Sequence, residues 1–147
     1  MSARGYTVAG FVRDHAPSRL SPIRGPEDVA AACKGLRGSQ REVFAVLLLN
    51  TRHEMMRRVT VSVGSLNASI VHPREVFKPA ILASAASVVL VHNHPSGDPE
   101  PSEEDLSITR RLVEVGELMG IQVLDHVIVA RRGVTSLRAL NAMGTRP

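Results

Sequence analysis

The sequence predicts a single α/β domain in which a mixed β-sheet is flanked by helices. The chain has 147 residues, which fits one domain with its own hydrophobic core. Short aliphatic runs typical of buried strands, such as "EVFAVLLLN" and "SVVLVHNH", alternate with longer segments that have helical periodicity. No internal repeat or low-complexity tract divides the chain.

The first half of the chain predicts one helix followed by two strands. Residues 1–24 have no clear period, so we expect a poorly ordered extension before a domain at residues 25–147. "PEDVAAACKGL" (26–36) predicts a helix, because Pro stands at the first helical position and acids follow it. "EVFAVLLLN" (42–50) predicts a central strand buried on both faces. "RRVTVSVGSL" (57–66) alternates as a neighbouring strand would.

The second half predicts two helices and three strands. "HPREVFKPAILASAAS" (72–87) is typical of a helix, in which Pro79 predicts a kink or a restart. "SVVLVHNH" (87–94) predicts another buried strand, followed by the turn-rich loop "PSGDPEP". "SEEDLSITRRLVEVGELMG" (102–120) predicts a helix that ends at its final glycine. Its expected apolar face consists of Ile108, Leu112, Val115 and Met119. "IQVLDHVIVA" is typical of a strand, and "VTSLRAL" of a final short strand or half-turn.

Composition predicts a cytoplasmic protein without a membrane partner. Hydrophobic residues make up 44% and charged residues 22%, as in ordinary globular proteins. No apolar run is long enough to span a bilayer, and the N-terminus lacks the apolar region of a secretory signal. The single cysteine, Cys33, excludes an internal disulfide and agrees with a reducing compartment.

The net charge of +4 makes nucleic acid a conceivable but weakly supported partner. Arginine pairs stand at positions 57–58, 110–111 and 131–132. Scattered pairs of this kind usually form solvated faces, and the sequence has no basic run of five and few aromatic residues for base stacking.

Two histidines one residue apart predict a metal site. Residues i and i+2 of a strand point to the same side, so His92 and His94 can present two imidazoles at the strand's C-terminal end. Asp105 can supply a third ligand if residues 95–101 fold back. Two nitrogens and one carboxylate leave a fourth position for water, as in catalytic zinc sites.

The alternatives to a zinc site are concrete. Ser102 and Asp105 also fit an N-cap pattern, so Asp105 can serve the helix start alone. The same ligand set also fits the facial triad of a non-haem iron oxygenase. A metallo-β-lactamase-like site would need a further Asp-His pair, which "PSGD" does not provide, and no Gly-x-Ser-x-Gly elbow makes Ser96 a nucleophile.

The longer wording resembles a known family. The spacing from His92 and His94 to Ser102 and Asp105 resembles the JAMM signature of the JAB/MPN metallopeptidase superfamily. "LVHNHPSGDPEPSEEDLSITRRL", "GSLNASIVHPREVFKPAILASAA" and "IQVLDHVIV" resemble the bacterial RadC family in particular, over roughly residues 26–137. The resemblance implies a single JAB/MPN domain with a fold similar to that of the cytidine deaminases.

The resemblance also implies roles for individual residues. His92, His94 and Asp105 would bind one Zn²⁺ per chain, with water as the fourth ligand. Glu42 would act as general base on that water, and Ser102 would support the oxyanion of the tetrahedral intermediate. The implied activity is zinc-dependent hydrolysis of a peptide or isopeptide bond in an unidentified peptide or protein substrate.

The chain departs from the superfamily pattern, and other functions stay open. Asn93 stands where most JAMM peptidases have Ser or Thr, and the chain is too short for the helix-hairpin-helix region that many RadC proteins carry. One alternative is a DNA-associated repair accessory or metal-dependent nuclease, and another is a zinc-containing interaction module with little turnover. Asp125 and His126 fit the RadC pattern, but only one of them can face the site, and a structural histidine is the simpler interpretation.

Overall fold

A computed structural model of the protein describes residues 20–64 and 71–144. These residues form three helices and a six-stranded mixed sheet, so the predicted α/β fold class is confirmed. The elements in chain order are β1 (Ser21–Pro22), α1 (Pro26–Ala32), β2 (Val43–Leu49), β3 (Glu54–Val63), α2 (Pro73–Leu82), β4 (Ser87–Asn93), α3 (Glu103–Met119), β5 (Gln122–Ala130) and β6 (Gly133–Ser136).

The two most apolar strands lie at the centre of the sheet, as predicted. The strand order is β1-β3-β2-β4-β5-β6. β2 pairs antiparallel with both β3 and β4, whereas β4 and β5 are parallel. A parallel pair needs a long crossover, and α3 supplies it. The loop and helix α3, which follow the histidine pair, therefore form the crossover from β4 to β5.

The sheet is buried on both faces, which explains the continuous apolar runs. In β2, Phe44, Val46 and Leu48 belong to the core under α2 and α3, and the residues between them pack with α1. In β4, Val88 and Leu90 belong to the α2/α3 core. Because strand side chains alternate, the next residue on that face is His92. The fold therefore turns His92 toward α3.

The buried face of α3 differs in part from the predicted one. Ile108 and Leu112 are buried as expected, but Met119 is 45% exposed. The face includes other buried residues, namely Asp105, Thr109, Val113 and Gly116. A Cβ at Gly116 would lie 2.5 Å from the backbone oxygen of Ile121, so only glycine permits this approach of α3 to the start of β5. Met119, the last helical residue, lies beyond this contact.

The segment around Pro79 also differs from the prediction. Of the predicted kink or restart at Pro79, the restart is wrong, because α2 continues through Pro79 as one helix. The helix ends at Leu82, before the predicted end near residue 87. Pro79 lacks only one helical N–H donor, three residues before the end, and its ring is buried in the core. Ser84, with φ of 53°, turns the chain toward β4.

The predicted extension lies mostly outside the described residues. Residues 1–19 are outside them, whereas Ser21 and Pro22 form β1 and pair with Met55 and Glu54 of β3. Within residues 20–64 and 71–144, no helix is long and apolar enough to cross a membrane.

Candidate metal centre

The two histidines present their ring nitrogens to each other at the C-terminal end of β4. His92 is the penultimate residue of the strand and is fully buried, and His94 follows directly after the strand. Their Nε2 atoms lie 3.0 Å apart. Phe44 on β2 pairs with His92 on β4, and its ring stacks on the His92 imidazole with a centroid distance of 5.9 Å. The apolar core thus holds one imidazole, and the rim of the sheet holds the other.

Asp105 closes a three-residue cluster from the first turn of α3. Its Oδ1 lies 2.9 Å from Nε2 of His92, and its Oδ2 lies 3.0 Å from Nε2 of His94. These three residues are a group that could hold a metal ion, with all ligand atoms within 4.8 Å of one another. Ligand atoms of a tetrahedral zinc site lie roughly 3.3 Å apart. Accommodating the ion would therefore need a separation of only a few tenths of an ångström.

Hydrogen bonds orient His94 for metal binding. Its Nδ1 lies 2.8 Å from the backbone oxygen of Asp98. A carbonyl oxygen only accepts, so Nδ1 donates its proton, and in the neutral ring the lone pair of Nε2 faces the cluster. Metal-ligating histidines are usually held in this way through their second nitrogen. The loop between the strand and the helix is thus part of the support of the site.

Ser102 and Asp105 form a capping box at the start of α3. The Ser102 N–H donates to Oδ2 of Asp105 at 2.7 Å, and the Asp105 N–H donates to Oγ of Ser102 at 3.1 Å. The capping and ligand interpretations of Asp105 therefore describe the same geometry. Ser102 is exposed, and its hydroxyl proton is not used in the cap, because Oγ accepts there.

The electrostatics of the cluster favour a charged carboxylate. Burial opposes ionisation of Asp105, but hydrogen bonds from His92 and His94 outweigh it and hold the pKa of the carboxyl well below its usual range. The hydrogen bond to Asp105 raises the pKa of His94 against the effect of burial, and the charge of Glu42 contributes in the same direction. The cluster thus has the charge distribution of a cation site.

Glu42 lies beside the cluster but is not part of it. It immediately precedes β2, in which Phe44 pairs with His92, so alternation turns Glu42 to the face of the histidines. The backbone oxygen of Glu42 accepts the Gly64 N–H at 2.7 Å, and Glu42 is half-buried. The group that could hold a metal, within the described chain, consists of the two histidines and Asp105 alone.

Asn93 is a supporting residue whose role the sequence did not indicate. It is fully buried on the opposite face from the histidines. Its Oδ1 accepts the Val43 N–H at 2.7 Å, and its Nδ2 donates to the backbone oxygens of Arg41 at 2.9 Å and Ser39 at 3.3 Å. These bonds hold the backbone on both sides of Glu42. The residue between the two histidines therefore anchors the segment that carries the predicted base.

His126 is the second residue that sequence reasoning left without a role. It is fully buried on β5, and its Nε2 lies 2.8 Å from Nδ1 of His92. Its Nδ1 is within hydrogen-bond distance of Oγ1 of Thr109 on α3. Burial, followed by the nearby charge of His92, lowers the pKa of His126 well below its usual value, so the ring is neutral. In the sequence, nothing in the adjacent pair Asp125 and His126 indicates the contact between His126 and His92.

Asp125 faces the other side of the sheet, as alternation requires. Its Oδ2 accepts the Ser136 hydroxyl at 2.6 Å, and its Oδ1 accepts backbone N–H groups of His126 and Arg138. It therefore holds the turn after β6. Cys33 is fully buried, and burial raises the pKa of its thiol.

Comparison with known proteins places this site in a family. Residues 23–142 match the RadC-like JAB domain family. A UPF0758 protein of Desulforamulus reducens is 56% identical over 118 residues, which cover 80% of this chain and 52% of that protein. A UPF0758 protein of Alkaliphilus metalliredigens is 52% identical over 122 residues, which cover 82% of this chain and 53% of that protein. A UPF0758 protein of Halalkalibacterium halodurans is 54% identical over 117 residues, which cover 79% of this chain and 50% of that protein. The chain spans about half the length of these curated relatives.

Proposed function

The chain belongs to the RadC-like JAB domain family, and from this premise we propose that it is a zinc-dependent hydrolase of peptide or isopeptide bonds. His92, His94 and Asp105 would hold one Zn²⁺, Glu42 would act as general base, and Ser102 would bind the oxyanion. The convergence of His92, His94 and Asp105, whose two Nε2 atoms and two carboxylate oxygens make contacts of 2.9–3.0 Å, carries the proposal.

The donor set suits zinc chemistry. Two imidazole nitrogens and one carboxylate form the protein half of a catalytic zinc site, and they leave one position open. Zinc bound there would lower the pKa of a bound water from 15.7 to about 7. The depressed pKa of Asp105 keeps its carboxylate charged at neutral pH, as a ligand must be.

Glu42 has the chemistry of the proton carrier. The water oxygen attacks the carbonyl carbon, and Glu42 accepts the proton that the water loses. When the carbon–nitrogen bond breaks, the same carboxyl gives this proton to the leaving amine. Its position on the face of the histidines and its electrostatic effect on His94 support this role. Asn93 supports it further by fixing the backbone of the segment.

Ser102 has a free hydroxyl proton at the mouth of the site. Its Oγ already accepts the Asp105 N–H, which fixes the oxygen within hydrogen-bonding distance of the ligand residue's backbone. The O–H is left to donate to an oxyanion that develops on the substrate. A donor of this kind that is positioned before the reaction stabilises the transition state without reorganisation.

The test combines zinc content with cleavage of unbiased substrates. The zinc-loaded protein is incubated with a proteome-derived peptide library and with lysine-isopeptide probes, and new amino termini are read by mass spectrometry. We expect chelator-sensitive, zinc-restored cleavage that Glu42→Gln abolishes while one zinc per chain is retained. Glu54→Gln is the matched control, because Glu54 also starts a strand, is half-buried and lies at the opposite end of the β2–β3 pair.

Two outcomes would contradict the proposal. Cleavage that Glu42→Gln leaves at the parental rate would remove the assigned base. Zinc-dependent cutting of DNA oligonucleotides in parallel reactions, with no peptide or isopeptide cleavage, would assign the same centre to phosphodiester chemistry instead. Steeply salt-dependent DNA binding would accompany that second outcome.

A further inference from the structure

A chain of three buried hydrogen bonds runs from the side chain of His92 to the backbone of Asp105. Nδ1 of His92 contacts Nε2 of His126 at 2.8 Å, and Nδ1 of His126 contacts Oγ1 of Thr109. The Thr109 hydroxyl in turn lies 2.6 Å from the backbone oxygen of Asp105, one helical turn earlier. All four residues are at most 1% exposed, so water does not compete for these bonds.

The chemistry of the groups determines which atom donates and which accepts in each hydrogen bond of this chain. A carbonyl oxygen only accepts, so the single hydroxyl proton of Thr109 points to Asp105. Toward His126 the Thr109 oxygen must then accept, which places a proton on Nδ1 of His126. Nε2 of His126 is left as an acceptor.

The same direction fixes the tautomer of His92. Its Nδ1 donates to the acceptor Nε2 of His126, so in the neutral ring, which is the form that binds a metal, Nε2 carries no proton. That lone pair faces Asp105 at 2.9 Å and His94 at 3.0 Å. The reverse direction would place two oxygen lone pairs 2.6 Å apart at Thr109 and Asp105, and would block Nε2 of His92 with a proton.

We infer that Thr109 and His126 are positioning residues, which hold His92 in the tautomer that binds the metal. This inference rests on the proposed zinc site. Thr109 acts from α3 and His126 from β5, so the helix and the neighbouring strand together determine which ring nitrogen of His92 on β4 carries the proton. Removing a partner of this kind typically weakens metal binding by about 10–100-fold.

The experiment measures zinc affinity by competition with a chromogenic chelator, without any turnover. Thr109→Val keeps the shape but removes the hydroxyl, and we expect zinc binding about 10–100-fold weaker than in the parent. Thr109→Ser restores a hydroxyl and should bind within about threefold of the parent. Thr135→Val, the same change at a half-buried position on β6, is the control and should bind as the parent does.

A second measurement needs no variant. In the zinc-loaded parent, ¹⁵N spectra of the imidazoles should show His126 neutral, with its proton on Nδ1. A proton on Nε2 of His126, equal zinc affinity of Thr109→Val and the parent, or failure of Thr109→Ser to restore binding would each overturn the inference. These results leave the zinc site itself standing, whereas a parent that binds no zinc would overturn both the inference and the proposed function.

Discussion

Asp105 performs two tasks that different substitutions should separate. Its carboxylate accepts the Ser102 N–H in the capping box and faces both histidines. Asn at this position keeps an oxygen for the cap but lacks the anionic ligand, whereas Ala removes both. At a pH high enough for His94 to be neutral, metal-free Asp105→Asn should therefore stay close to the parent in stability. Metal-free Asp105→Ala should lose about 0.5–2 kcal/mol of unfolding free energy, the usual contribution of a cap.

Zinc should separate these variants far more strongly. Zinc at about 1,000 times its Kd stabilises the folded parent by about 4.1 kcal/mol. For a domain of this size, that corresponds to a rise in Tm of roughly 8–16 °C. Loss of an outer partner already costs 10–100-fold in affinity, so loss of the ligand itself should cost at least about 100-fold. At the same zinc concentration about 1.4 kcal/mol then remains, or roughly 3–6 °C.

The assay is thermal unfolding of each protein with chelator and with a fixed concentration of zinc. Asp98→Asn is the control, because it makes the same change in the adjoining loop, where only the backbone oxygen contacts His94. A full zinc shift in Asp105→Asn would show that the carboxylate is not a ligand. Metal-free Asp105→Ala with parental stability would refute the argument for the cap.

Two further predictions concern the supports of the site and its pH dependence. Asn93→Ala removes the three hydrogen bonds that the buried Asn93 side chain makes to the segment around Glu42. Urea unfolding should show a loss of roughly 2–4 kcal/mol, and cleavage should fall while zinc content is kept. Unchanged cleavage would contradict the anchoring role. The raised pKa of His94 gives the metal-free protein a stabilisation that is complete below about pH 6.5 and is lost as the pH rises through the raised value. Urea titrations of the parent and His94→Gln in chelator should therefore converge as the pH rises above about 6.5. Zinc affinity, which requires neutral His94, should rise over the same range. A stability difference between the two proteins that grows with pH would refute the sign.

Local signals in the sequence were sufficient to predict that His92, His94 and Asp105 lie together. An aliphatic run predicts a buried strand, and the i, i+2 spacing then places His92 and His94 on one side of its end. Ser102 and the acids that follow it predict the start of a helix. Because the loop between the strand and the helix is short, the helix must start near the end of the strand, which predicts that Asp105 lies beside the histidines. Each step used information within about fifteen residues of the site.

The supporting residues could not be predicted, because their contacts depend on strand register. His126 is 34 residues from His92, Thr109 is 17 residues from His126, and Asn93 is 50 residues from Val43. A shift of one residue in the pairing of β4 with β5 would turn His126 to the other face. No local pattern specifies that register. Gly116 was missed for a different reason: its close approach to the backbone of Ile121 is local, but an apolar periodicity does not indicate it.

The site continues the two periodicities that build the core. Val88 and Leu90 are buried under α3, and the same alternation gives His92 as the next residue. On α3, Leu112 and Ile108 are buried, and the same helical face leads back to Asp105. Because β4 and β5 are parallel, the crossover helix must begin near the end of β4, which brings the two series together.

Apolar residues at these positions would simply extend the core. Replacing a buried, fully bonded polar group by an apolar one of similar shape is often neutral or stabilising. The chain instead holds His92, His126, Thr109 and Asp105 there, each with partners, at almost no exposure. We therefore expect that folding does not require this polarity and that the network is retained for the ligand geometry it enforces. A His92→Leu, Thr109→Val, His126→Leu triple variant removes the three bonded side chains together and leaves the Asp105 cap in place. It should fold at least as stably as the metal-free parent while binding no zinc. If it unfolded, the polar network would be a requirement of the fold itself.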